Sequence, residues 1–122
     1  MRQHLASLAA VTLALAFVAL FFEGRHEAKT LDDVAPRVGL RSEDLVAMVP
    51  RIAAQTGATP GTSRRVVYLM ACSGLSTRDT IESNARLAAG IAEQRRLTPR
   101  EATTSALLSL HAPDGAARLR DC

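Results

Sequence analysis

Residues 5–22, LASLAAVTLALAFVALFF, are 18 consecutive positions without a charge. This run constrains the chain more than any other feature. At 1.5 Å per residue a helix of that length spans roughly 27 Å, close to the hydrocarbon core of a bilayer. The run therefore predicts one N-terminal transmembrane helix anchored by Leu5, Leu8, Leu13, Phe17, Phe21 and Phe22. Arg2 ahead of it also fits a secretory signal. Against cleavage, the run exceeds a usual signal core and ends in bulky Phe21 and Phe22. The best cleavage point, after Ala28, puts His26 where a small residue is preferred. The expected organisation is an uncleaved anchor over 1–28, a tether over 29–41 and a small helical domain over 42–122, with a cleaved leader as the alternative.

The anchor holds all three Phe, and the chain has no Trp, which leaves Tyr68 as the lone aromatic outside it. The core must come from Leu, Val, Ile, Met and Ala. Such a core is thin, and domains this small often need a staple or a partner. The net charge of +3 is modest but uneven. Residues 23–44 carry six acids against four bases, and residues 64–100 carry seven Arg against three acids. A basic stretch can attract phosphate or anionic lipid, although scattered Arg on helix surfaces is the commoner cause.

The fold class expected is all-α, with a bundle of about four helices behind the anchor. Pro36 and Gly39 mark the tether, with one short helical turn at 31–35. Ser42 is placed to cap a first helix, followed by Glu43 and Asp44. Leu45, Met48, Val49 and Ile52 make its apolar face. Pro50 should kink or divide it, and Gly57 should end it. Residues 58–62, ATPGT, read as a turn. Val66 to Cys72 is β-branched enough for a strand, but a lone strand cannot satisfy its backbone, so a helix from about Ser63 to Gly74 is preferred. Ser76 with Asp79 resembles a capping box opening a helix to about Arg96, with Arg78–Glu82 and Glu82–Arg86 as ion pairs. Thr98-Pro99-Arg100-Glu101 is a complete start signal for a helix that turns Ala102, Ala106, Leu107 and Leu110 inward. Pro113-Asp114-Gly115 reads as a turn before a short tail.

The stretch VVYLMACSGLSTRDT, residues 66–80, carries three functional readings. Cys72 and Arg78 stand at Cys-x5-Arg spacing, which resembles the phosphate loop of low-molecular-weight tyrosine phosphatases and arsenate reductases. That resemblance implies a low-pKa thiolate nucleophile and an Arg that forks around an oxyanion. Leu75 and Asp79 stand where that family has small polar residues. Residues 73–87, SGLSTRDTIESNARL, and 97–101, LTPRE, resemble pieces of the helix-turn-helix of LuxR-type regulators, in reversed order. That resemblance implies DNA binding through Arg78, Arg86 and their neighbours. Asp79 and Glu82 would face phosphates unfavourably. In the third reading Gly74 ends one helix, Ser76 caps the next, and Cys72 pairs with Cys122. That disulfide would close a loop of about 50 residues and contribute roughly 4 kcal/mol on the chain-entropy estimate.

Other chemistry-bearing residues are dispersed. His4, His26 and His111 lie far apart, with no carboxylate at ligand spacing, so no metal site is expected. Neither a cofactor motif nor a small-molecule substrate site is visible, and nucleic acid is not the expected partner. The count of Lys and Arg beside the apolar run favours a cytoplasmic domain. The signal-like amino end and the even cysteine pair favour export. The balance gives a single-pass protein of the inner (cytoplasmic) membrane with a periplasmic or extracytoplasmic head. Its expected job is that of a non-catalytic accessory or assembly subunit, with the lipid bilayer and a larger membrane complex as partners. A membrane-tethered helix-turn-helix regulator is the alternative, and a Cys-x5-Arg phosphatase-like enzyme stands behind it.

Overall fold

The computed structural model describes residues 31–122. Leu5, Leu8, Leu13, Phe17, Phe21 and Phe22, and with them the expected anchor, lie outside the described residues. No helix among the described residues is long and apolar enough to cross a membrane. Helix makes up 77% of the described residues and no strand occurs among them, which settles residues 66–72 as helix.

Residues 31–34 are α-helical, and five further α-helices follow: α1 Ser42–Thr56, α2 Pro60–Cys72, α3 Ile81–Arg95, α4 Pro99–Ser109 and α5 Pro113–Arg118. Two 3₁₀ segments, Ala35–Val38 and Leu119–Asp121, flank them. That exceeds the expected four because Pro113-Asp114-Gly115 opens a short helix instead of making a turn. Pro113 occupies the first helical turn, where its missing N–H costs nothing.

Local signals explain most boundaries. Arg41, not Ser42, is the residue before α1, and its N–H donates to Asp44 Oδ2 at 3.1 Å. Pro50 lies inside α1 without dividing it. Gly57 closes α1 at φ 77°, a left-handed conformation that glycine adopts without a Cβ clash. The predicted 58–62 turn is shorter than expected: Thr59 Oγ1 accepts the Thr62 N–H at 3.1 Å and starts α2 at Pro60. Conversely α3 starts at Ile81, five residues after Ser76. Ser76 is buried and its hydroxyl accepts a hydrogen bond from Asn84 Nδ2 at 3.1 Å, so it ties the loop to α3 and does not cap it. The Thr98 box is present in full. Thr98 Oγ1 accepts the Glu101 N–H at 3.2 Å, and the Thr98 N–H donates to Glu101 Oε1 at 3.2 Å.

Helix α2 is central, packing on α1, α3, α4 and the 3₁₀ turn Ala35–Val38. Its residues Val66, Val67, Leu69, Met70 and Ala71 are fully enclosed. The predicted face of α1, Leu45, Met48, Val49 and Ile52, is buried against it. Ala85, Ala88, Ala89 and Ala92 line the inner side of α3, and their small side chains let α3 pack against three neighbours. Ala102, Ala106 and Leu107 turn inward from α4 as predicted, but Leu110 is 42% exposed because the helix ends at Ser109.

The helical turn expected at 31–35 is present, and it packs into the core. Residues 31–38 are helical, and Leu31, Val34, Ala35 and Val38 are at most 4% exposed. Their i, i+3, i+4, i+7 spacing is that of an apolar helix face, and it completes a core that the rest of the chain leaves short of large side chains. Leu31 to Cys122 form one compact unit.

Candidate functional site

The 66–80 stretch divides at Cys72. Cys72 is the last residue of α2, and eight loop residues separate it from α3. Ser73 Oγ donates to the Met70 carbonyl at 2.6 Å, which satisfies one of the free carbonyls at the helix end. Gly74 follows at φ 73°, and the Arg118 guanidinium of α5 lies over it. Leu75 reaches across to Gly115, whose missing Cβ leaves the room that the Leu75 side chain fills. Thr77 and Thr80 brace the rest of the loop: the Thr77 N–H donates to Thr80 Oγ1 at 2.8 Å.

Cys72 and Cys122 form a disulfide, with Cα atoms 6.1 Å apart. It ties the end of α2 to the segment after α5. Arg37, from the 3₁₀ turn, is the third member of this cluster. Its Nη1 lies 3.5 Å from the Cys72 carbonyl oxygen and 3.7 Å from Cys72 Sγ. Arg100 holds the other side. Its guanidinium donates to the carbonyls of Leu119 and Cys122, the second at 2.8 Å. Sequence reasoning finds the pair of cysteines but misses Arg37 and Arg100. Arg37 is 35 positions from Cys72, and no spacing rule connects them.

This geometry bears on the two resemblances. A phosphate loop places its thiolate before a helix, where the free N–H groups and the positive end of the helix dipole stabilise the anion. Cys72 sits at the opposite, carbonyl end of a helix, its sulfur is bonded to Cys122, and no strand lies behind it among the described residues. A DNA-reading helix needs free cations on its outer face. On α3, Glu82 takes up two of the available guanidiniums: Arg51 Nε at 3.0 Å and Arg86 Nη2 at 3.1 Å. The Glu82–Arg86 pair is as expected, whereas Arg51 of α1 takes the place expected of Arg78.

Two open surface depressions lie among the described residues. One, of about 370 Å³, runs along α3 between Ser83, Leu87, Gly90, Ile91 and Gln94. The other, of about 390 Å³, lies between Arg100, Thr104 and the α5 segment. Among the described residues no group of three His, Cys, Asp or Glu is placed to hold a metal ion. No protein-family model, curated protein or solved structure matches this chain.

Proposed function

We propose that the chain is a non-catalytic, membrane-anchored accessory or assembly subunit of a larger cell-envelope complex, with its helical head on the extracytoplasmic side. The disulfide is the observation that carries this reading. Disulfides form and persist in oxidising compartments and are rare in the cytosol. The uncharged run at 5–22 supports membrane attachment from the sequence side. Partner binding is assigned to the head, where Leu87 is 40% exposed beside Ile91 on the α3 groove. Membrane attachment raises the local concentration of such a surface, so a modest contact suffices for assembly.

Purification of the full chain from membranes in a mild detergent tests the reading. A companion protein is expected to remain with it in stable proportion, and Leu87→Asp is expected to release that companion while the head stays folded. Recovery of the chain alone from every mild detergent overturns the proposal. A reporter joined after Cys122 is expected to be active only outside the cytoplasm. Activity inside would transfer the case to the membrane-tethered regulator.

A further inference from the structure

We infer that the Cys72–Cys122 bridge is an asymmetric thiol-exchange site, attacked by small-molecule thiolates at Cys122 and releasing Cys72 as the leaving thiolate. The inference does not depend on the anchor or on an assembly partner. It rests on what surrounds each sulfur. Cys72 is 9% exposed, at the end of α2, whereas Cys122 is only partly buried. A thiolate must approach a disulfide sulfur directly, so access selects Cys122 as the point of attack.

The leaving side is also prepared. Exchange is faster when the departing sulfur carries its negative charge more easily. The carbonyl end of a helix opposes that charge. Arg37 offsets it, since one nitrogen, Nη1, faces both the Cys72 carbonyl and Cys72 Sγ. A guanidinium at that range stabilises a thiolate. In the step, the incoming thiolate sulfur bonds to Cys122 Sγ and the Cys72–Cys122 bond breaks. The electron pair of that bond stays on Cys72 Sγ. One disulfide is consumed and one is formed, so no external oxidant or reductant is needed.

The return step is exchange of the same kind, and Arg100 favours it by keeping the two sulfurs close. Its bonds to the Leu119 and Cys122 carbonyls hold the segment in place after the sulfur bridge is lost, and Leu119 stays buried. Cys72 then remains within reach to attack the mixed disulfide and restore the bridge.

The test uses the oxidised full chain and reduced glutathione, with acid quenching at early times and peptide mass spectrometry. Glutathione is expected on Cys122 in about tenfold excess over Cys72. Equal labelling, or labelling mainly at Cys72, overturns the inference without any variant. Arg37→Gln is expected to slow adduct formation about threefold or more, and Arg37→Lys to stay near the parent rate. An Arg37→Gln protein that keeps its helical content and reacts at the parent rate removes Arg37 from the account and overturns the leaving-group assignment. A faster rate does the same, since it makes Arg37 a structural clasp.

Discussion

Glycine shows how one substitution reverses sign with its surroundings. Gly57 and Gly90 both have open space where a Cβ would be placed. Gly57 holds φ 77° at the end of α1, where an L side chain crowds the following carbonyl. Gly57→Ala is expected to lower stability by about 1 kcal/mol. Gly90 lies in the interior of α3, where glycine is a poor helix former. Gly90→Ala is expected to raise stability by about 0.8 kcal/mol. Urea unfolding of the two variants checks both, and equal shifts of the same sign would contradict the backbone assignment. The sequence makes Gly57 legible as a stop because its cause is local. The same is true of Thr98 and Glu101, whose reciprocal bonds span three residues. Ser76 defeats local reading for the opposite reason: its partner Asn84 is eight residues away, and burial of its hydroxyl outweighs its capping preference.

At the scale of elements, the residues 31–38 carry the most instructive difference between sequence and structure. Their neighbours are charged and include Pro36 and Gly39, which mask a four-residue apolar face. Leu31, Val34, Ala35 and Val38 become recognisable only once α2 provides the surface that they cover. A tether residue at position 31 would tolerate truncation without effect. Because Leu31 is 1% exposed in the core, Leu31→Ala is expected to cost about 2–5 kcal/mol. Chemical denaturation monitored by far-ultraviolet circular dichroism measures it, and an unchanged midpoint would place the segment outside the fold. Elements with strong internal periodicity were easier. The buried faces of α1 and α3 follow directly from the positions of their apolar and alanine residues. The opening of α5 was hidden because Pro-Asp-Gly is compatible both with a turn and with a first helical turn, and only packing against α4 decides between them.

For the whole molecule, the core contains no Phe or Trp among the described residues, and the disulfide compensates for that. The bridge spans 50 positions. Restricting a loop of that size in the unfolded chain contributes roughly 4 kcal/mol. Cys122→Ser is therefore expected to lower the unfolding free energy by about that amount, while the helical spectrum is retained at low temperature. Urea titration of oxidised, reduced and variant proteins checks it: the reduced and variant proteins should coincide, and coincidence with the oxidised protein would show that the bridge adds nothing. The pairing of Cys72 with Cys122 was legible from number and position alone. Its setting was not, because Arg37 lies 35 positions from Cys72 and Arg100 22 positions from Cys122. The position of Arg37 has a mechanical consequence. Arg37 lies six residues after Leu31, so the segment that packs Leu31 and Val34 into the core also carries the guanidinium beside Cys72 Sγ. Loosening of that segment would also move Arg37 away from Cys72, half of the only covalent crosslink among the described residues.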